Sequence, residues 1–135
     1  MANEREKLRE ILESTKSIAV IGMKRSGAAY SVPKYMERSG YEIVPVNPTL
    51  DRIDDLEVYD SVDQIDRPVD MVNVFRRSQF VGDHVDEILA MDPPPKTVWL
   101  QLGIRNDEAA RRLEEAGIAV VQDRCLKIDH VSLVG

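Results

Sequence analysis

The sequence has little of what secreted, membrane-spanning or nucleic-acid-binding proteins require. A single cysteine among 135 residues allows no internal disulfide bond and favours a reducing, cytoplasmic environment. The apolar runs are far shorter than the roughly 20 residues that span a bilayer, and the charged start MANEREKLREILEST lacks the apolar core of a signal peptide. A net charge of -6 argues against a broad basic face for nucleic acid. We therefore expect a cytoplasmic protein without nucleic acid or membrane partners, and the sequence indicates no particular protein partner.

Residues that would indicate a metal centre or an activated nucleophile are also scarce. The two histidines, His84 and His130, lack the spacing of zinc ligands, and the acidic run DRIDDLEVYDSVDQID lacks that of an EF-hand. The pattern shows no histidine or aspartate arranged to activate the sole thiol, Cys125, so a buried and inert cysteine is favoured. We expect no metal and no catalytic residue. The alternative, an enzyme that uses Cys125 in thioester or redox chemistry, stays open.

What the sequence does contain is an alternation of short apolar runs and amphipathic segments. The apolar runs show no polar alternation, which is typical of strands covered on both faces. This order predicts an α/β fold, namely one doubly wound, Rossmann-like domain over residues 1–135 with a five-stranded, mainly parallel sheet. The N-terminal segment 1–14 supplies a helix that packs on this domain. The predicted strands are 17–21, 41–46, 69–75, 97–100 and 118–121, and the predicted helices are 3–14, 31–39, 79–91 and 106–116.

Some segments give a weaker signal. Residues 47–68 form one long acidic connection with a short strand near 57–59, and the tail from residue 123 is either a short helix or irregular. Pro45 predicts the end of its strand or a weakly paired position. Trp99 lies inside a strand and is therefore predicted to be core.

The segment GMKRSGAAYS, residues 22–31, follows the first strand. Ligands of doubly wound sheets bind beyond the carboxyl ends of the strands, where this segment and the loops after later strands meet. The backbone N–H groups and the dipole of a helix that starts near Ser31 favour a phosphate there. Lys24 and Arg25 add charge, and Ser26 and Ser31 add hydroxyl donors. The cations of these loops, in an otherwise acidic chain, are Lys24, Arg25, Arg52, Arg76, Arg77 and Arg105.

Neither common nucleotide fingerprint is present in this segment. G-x-G-x-x-G is missing, and although Gly22 and Gly27 have the separation of a P-loop, Ala28 and Ala29 replace its Lys and Ser/Thr. The second strand ends in Asn47, where NAD sites place a carboxylate for the ribose hydroxyls. ATP hydrolysis is therefore not expected and NAD is disfavoured. An NAD(P)-type dinucleotide-sensing module stays open as an alternative.

Four segments together carry a family resemblance: SIAVIGMKRSGAAYSVPKYMERSGYEIVPVNP, VDMVNVFRR, VWLQLGI and GIAVVQDRC. In this order and spacing, over about residues 14–130, the chain resembles the small stand-alone CoA-binding domain proteins. Their fold is similar to the CoA-binding domain of the succinyl-CoA synthetase alpha subunit. The resemblance implies a Rossmann-like fold that binds coenzyme A or a short acyl-CoA through its nucleotide phosphates, without catalysis.

The resemblance also implies where the ligand lies. The loop from Gly22 to Ser31 would hold the phosphates, Asn47 and Pro48 would lie beside the adenosine, and Phe75 and Arg76 would form a wall. Arg76 is preferred over Arg77 as a phosphate contact, whereas Gln101 and Gly103 either reach the ligand or only form a turn. The expected cofactor-binding residues are Gly22, Met23, Lys24, Arg25, Ser26, Ser31, Asn47, Pro48, Phe75 and Arg76.

Overall fold

A parallel sheet of five strands forms the middle layer of the structure, a computed structural model that describes residues 3–135. The strands, in chain order, are β1 (Ser17–Ile21), β2 (Glu42–Val46), β3 (Arg52–Ile53), β4 (Leu56–Glu57), β5 (Met71–Val74), β6 (Thr97–Leu100) and β7 (Ala119–Val121). The sheet has the order β2-β1-β5-β6-β7, and β3 pairs with β4 in a separate antiparallel hairpin. Every neighbouring pair in the five-stranded sheet is parallel. The predicted α/β, Rossmann-like fold with a five-stranded sheet is therefore confirmed.

Helices cover both faces of this sheet. They are α1 (Glu4–Ser14), α2 (Ala28–Arg38), α3 (Val85–Leu89), α4 (Asp107–Glu115) and α5 (Leu126–Leu133), with two 3-10 helices at Val62–Gln64 and Ser78–His84. Side chains of α1, α2 and α5 share one hydrophobic cluster with the sheet, and those of α3, α4 and the 3-10 helices share the other. The first two residues of the predicted 1–14 segment lie outside the described residues. The rest of that segment forms α1, which packs beside α5.

One predicted helix differs from the structure in type as well as in bounds. The predicted helix over 79–91 is a 3-10 helix followed by the short α3, and Gly82 at the junction is a poor helix former. Its apolar positions still serve the expected purpose, because Val81, Val85 and Ile88 are buried. The C-terminal tail, which the sequence left open between helix and irregular chain, contains α5.

Pro45 lies inside β2 and does not weaken its pairing with β1. Its partner in the ladder is Val20, and β2 is an edge strand of the sheet. The Pro45 carbonyl accepts a hydrogen bond from Tyr59 N at 3.0 Å, on the side away from β1. Because the N and O of one strand residue point the same way, the missing N–H removes no bond to β1. Trp99 is fully buried, as predicted, and its Nε1 donates to the Arg124 carbonyl at 2.9 Å.

Candidate functional site

The candidate site lies at the carboxyl ends of β1 and β5. The strand that follows β1 in the chain lies on one side of it, and β5 with the later strands lies on the other, so the strand order reverses here. The loops that leave the two strands touch, because a Cβ on Gly22 would overlap the carbonyl oxygen of Phe75. Gly22 also has a φ of 83°, which favours glycine. The floor of the crevice is thus closed by a contact that only glycine allows.

The crevice divides into two arms. The polar arm, with a volume of about 670 Å³, extends toward the end of β2 and the 3-10 helix at Ser78–His84. The apolar arm, of about 490 Å³, extends toward α2 and the start of α5. Asn47, Pro48, Thr49, Asp60, Phe80 and His84 line the polar arm; Ala28, Ala29, Val32, Leu102, Ile104 and Cys125 line the apolar arm. Both arms share Lys24, Phe75, Arg76 and Arg77, which form their junction.

The three cations of the junction are available to a ligand. Within residues 3–135, Lys24, Arg76 and Arg77 form no salt bridge with a carboxylate. Arg76 instead donates from Nε to Nε2 of His84 at 3.2 Å and lies 5.0 Å from the centre of the Phe80 ring. Unpaired, exposed cations at one point of an acidic protein indicate an anion site.

The backbone around α2 adds hydrogen-bond donors to this junction. The helix begins at Ala28, three residues earlier than predicted, and Gly27 is an N-cap without a side-chain bond. The N–H groups of Ala28 and Ala29 find no acceptor in the described part of the chain. Free N–H groups at the start of an eleven-residue helix favour a bound anion.

Pro33, inside α2, explains how the loop before the helix is held. A proline cannot donate to the carbonyl four residues earlier, which here belongs to Ala29. That carbonyl accepts the N–H of Lys24 instead, at 3.1 Å. The loop thereby folds back onto the helix start, which brings Lys24 to the junction.

Some of the predicted site residues lie elsewhere. The Met23 side chain is fully buried in the core on the α2 side, so only its backbone is near the crevice. Ser26 and Ser31 are exposed and line neither arm, and Ser31 lies in the first turn of α2, where its N–H donates to the Gly27 carbonyl at 2.9 Å. Their hydroxyls therefore face solvent beside the crevice.

Arg25 takes part in a different contact, which joins the loop after β1 to the β3–β4 hairpin. Its Nη2 and Nε donate to the Arg52 carbonyl at 2.6 and 3.1 Å, outside both arms. The hairpin tip is held at a further point, where Asp54 accepts from Tyr30 Oη at 2.6 Å and pairs with Lys34 at 3.1 Å. The hydrogen bond from Tyr30 lowers the pKa of the Asp54 carboxyl, and the Lys34 ammonium lowers it further.

Of the six cations predicted at this edge, three therefore do not line the crevice. Besides Arg25, these are Arg52 and Arg105, and the latter pairs with Asp107 at 3.2 Å. The remaining three form the junction. The loops meet as predicted, but only half of the six cations point into the crevice.

Asn47 lines the polar arm and also braces its wall. Its Nδ2 donates to the Met23 carbonyl at 3.0 Å, and its Oδ1 accepts from N and Oγ1 of Thr49 at 2.9 and 2.7 Å. These bonds tie the end of β2 to the loop after β1. Pro48 follows on the same wall and is exposed.

Asp60 and His84 are among the polar-arm residues that were missed at the sequence level. A bridge between Val46 and Tyr59 brings the adjacent Asp60 to the end of β2, and the predicted short strand near 57–59 was the only signal of this approach. His84 was considered only as a metal ligand, yet it contacts Arg76 and its Nδ1 lies 3.3 Å from Oε2 of Glu87. Arg76 lies in a loop and His84 ends a 3-10 helix, so neither helical nor strand spacing predicts this contact.

The apolar arm contains the single thiol. Cys125 is half-buried at the N-cap of α5 and lines the arm, so the expectation of a buried cysteine was wrong. The residue lies there because α5 begins directly beneath the end of β6, where Leu126 N donates to Oε1 of Gln101 at 3.3 Å. Among residues 3–135, no group of three or more His, Cys, Asp or Glu side chains is placed to hold a metal ion.

Comparison with known proteins gives the family. A family model described as a CoA binding domain matches residues 16–131, and the chain belongs to this family. The protein YneT of Bacillus subtilis (strain 168) is 41% identical over 125 residues, which are 91% of each chain. The predicted family resemblance is thereby confirmed.

Solved structures of similar chains agree with this. Cell-free ID.343 from Thermus thermophilus superimposes with a TM-score of 0.91 at 39% identity, over 97% of this chain and 99% of that chain. A protein from Pyrococcus horikoshii OT3 gives a TM-score of 0.92 at 31% identity, over 99% and 94%. Within the described residues, no helix is long and apolar enough to cross a membrane.

Proposed function

We propose that this protein binds coenzyme A or a short acyl-CoA and performs no chemistry on it. The observation that carries the proposal is the junction, where Lys24, Arg76 and Arg77 line the crevice beside the N–H groups that begin α2. Among residues 3–135, these cations have no carboxylate partner and the N–H groups of Ala28 and Ala29 have no acceptor. Coenzyme A carries a pyrophosphate and a 3′-phosphate, so it offers more negative charge than most nucleotides. Charge-assisted hydrogen bonds to phosphate are among the strong polar contacts.

The shape of the crevice supports the same ligand. The polar arm lies where nucleosides bind in doubly wound folds, and its volume of about 670 Å³ falls within the usual range for ligand sites. The adenosine would lie against Asn47 and Pro48, with Phe80 on the opposite side. Membership of the CoA-binding domain family supports coenzyme A as the ligand.

The surroundings of the only thiol favour binding over catalysis. In the described part of the chain, no histidine or carboxylate forms a hydrogen bond with the Cys125 thiol. His130 is occupied by Tyr35 at 2.7 Å, and His84 lies between Arg76 and Glu87. General-base activation of a cysteine nucleophile needs such a partner beside the thiol.

One observation favours the second candidate, a dinucleotide-sensing module. Asp60 lies in the polar arm near the end of β2, where NAD sites use a carboxylate to bind the ribose hydroxyls. The same carboxylate would repel the 3′-phosphate of coenzyme A at short range. The two ligands therefore differ in a way that a titration can measure.

The test is calorimetric titration of the whole protein with coenzyme A, acetyl-CoA and NAD under the same conditions. Micromolar binding of the CoA species without an NAD signal is the expected result. Binding of NAD alone would replace the proposal with the dinucleotide-sensing module. No heat with any ligand would contradict both proposals. If acetyl-CoA released acetate faster with the protein than in buffer alone, the proposed absence of catalysis would be contradicted.

A further inference from the structure

The apolar arm contains a buried amide with an unused donor. Gln101, at the end of β6, lines this arm but is only 5% exposed. Its Oε1 accepts hydrogen bonds from Leu126 N at 3.3 Å and from Asn73 Nδ2 at 3.4 Å. Its Nε2 donates to no group within residues 3–135. Because the oxygen faces the protein interior, the N–H₂ group faces the arm.

Asn73 fixes this orientation. It lies fully buried in β5, and its Nδ2 donates to the Trp99 carbonyl at 3.1 Å as well as to Gln101. An amide group that is held by two donors on its oxygen cannot turn over without losing both bonds. The Gln101 N–H₂ is therefore preorganised toward the arm.

Most of the side chains that line the arm around this donor are apolar, and none of those described is a carboxylate or an amide that could accept from it. Ala28, Ala29 and Val32 come from α2, and Leu102 with Ile104 comes from the loop after β6. The Nε2 group still reaches solvent through the open arm. An apolar ligand group that covered it would leave it without an acceptor at a cost in free energy, whereas a ligand carbonyl placed here would accept its hydrogen bond. Amide and thioester groups on an apolar chain carry such carbonyls.

The arm is continuous with the proposed phosphate site. Lys24, Phe75, Arg76 and Arg77 line both arms, so phosphates at the junction leave the two ends of a ligand in separate arms. We propose that the apolar arm binds the acylated pantetheine end of a CoA thioester and that Gln101 Nε2 donates to a carbonyl of that end. The ligand carbonyl is either a pantetheine amide or the thioester itself. This inference rests on the proposed function and deepens it.

Cys125 provides a direct test in the unaltered protein, because it is the only cysteine of the chain and lines the same arm. The measurement is the rate at which iodoacetamide alkylates Cys125, followed by mass spectrometry, with saturating ligands that carry no free thiol. Acetyl-CoA and S-methyl-CoA are expected to slow alkylation severalfold. 3′-Phosphoadenosine 5′-diphosphate, which contains only the nucleotide end, is expected to leave the rate unchanged. Equal rates with all three bound ligands would overturn the inference.

Gln101→Leu tests the hydrogen bond, with Gln64→Leu as the matched control. Gln64 is exposed in the 3-10 helix at Val62–Gln64, outside both arms. We expect Gln101→Leu to weaken acetyl-CoA binding about fivefold to tenfold, as for one net hydrogen bond, and Gln64→Leu to leave it unchanged. Neither variant is expected to change the affinity for the nucleotide end.

The outcomes separate the inference about the apolar arm from the proposed function. If the loss with Gln101→Leu is the same for acetyl-CoA and S-methyl-CoA, the bound carbonyl is a pantetheine amide; if it is confined to acetyl-CoA, the carbonyl is the thioester. An equal loss for the nucleotide end would show a general effect on the fold and overturn the inference. If the wild-type protein binds the nucleotide end and acetyl-CoA equally well, the arm is unused while the proposed function stands. If it binds neither, the proposed function itself fails.

Discussion

Lys24 and Arg25 are neighbouring cations for which the structure predicts a large and a small effect on ligand binding, respectively. Lys24 lies at the junction of the two arms and forms no salt bridge within the described residues. Arg25 donates twice to the Arg52 carbonyl and lines neither arm. Replacement of either residue by alanine removes the same charge from the same loop. The pair therefore separates a specific contact from a general electrostatic effect.

The size of the effect follows from the exposure of the two side chains. Charge-assisted hydrogen bonds contribute about 1.5–3 kcal/mol, and we take the lower limit because Lys24 is exposed and its charge is screened by water. Lys24→Ala should therefore weaken acetyl-CoA binding about tenfold. Arg25→Ala should change the affinity less than about twofold, since only a distant, screened charge is lost. It should instead lower the free energy of unfolding by about 1 kcal/mol, because the hairpin loses an anchor.

The assay is calorimetric titration with acetyl-CoA at two salt concentrations, with urea denaturation of each variant. The affinity of Lys24→Ala should also depend less on salt than that of the wild type, because one screened charge contact is missing. Lys24→Arg keeps the charge and should retain most of the affinity. If Arg25→Ala weakened binding as much as Lys24→Ala, the distinction drawn from the geometry would be refuted. Ligand binding would then depend on the overall positive charge of the loop and not on a contact with Lys24.

Two further predictions concern the fold that supports the site. Gly22→Ala should lower the free energy of unfolding by at least about 2 kcal/mol, because its Cβ would overlap the Phe75 carbonyl. Gly117→Ala, with a φ of 88° but open space around it, should lose only about 1 kcal/mol, and equal urea midpoints for the two variants would contradict the close contact. Burial lowers the pKa of His130, so the folded state favours the neutral imidazole. The contribution of His130 to stability should be complete above about pH 6.5 and decrease as the pH falls below that value. Urea denaturation of wild type and His130→Gln at neutral and mildly acidic pH should show a smaller decrease for the variant, and identical decreases would contradict this role.

The strands could be predicted because their burial leaves a simple pattern. β1, β5 and β6 are buried throughout, so their residues are mostly apolar without the alternation of a half-exposed strand, although β5 includes the buried Asn73. The start of α2 could not be read in this way. Its N-cap is Gly27, which has no side-chain bond, whereas Ser31 followed by Pro33 has the sequence pattern of a helix start. Pro33 is nevertheless tolerated inside the helix, because the Ala29 carbonyl to which it cannot donate accepts the N–H of Lys24 instead.

The loops that form the crevice could be predicted from the sequence, whereas the directions of some of their side chains could not. Which loops meet follows from the parallel sheet, because the carboxyl ends of its strands share one edge and ligands of such sheets bind there. Whether Arg25 points into the crevice depends on where the β3–β4 hairpin lies, and the connection 47–68 gave almost no signal of that. The same connection carries Asp60 into the polar arm. Long-range contacts of an irregular segment leave no periodicity in the sequence.

Gly22 explains why an anion site can exist here without a nucleotide fingerprint. In the common dinucleotide motif, a glycine lets the backbone approach the pyrophosphate. Here the space above Gly22 is filled by the Phe75 carbonyl, so the same freedom joins two loops of the protein instead of admitting a phosphate. The donors for an anion then have to come from elsewhere in the junction, and the structure offers the N–H groups that begin α2 and the cations Lys24 and Arg76. Under the proposed function, these N–H groups and charged side chains would together hold the phosphates that closely spaced glycines admit in the motif.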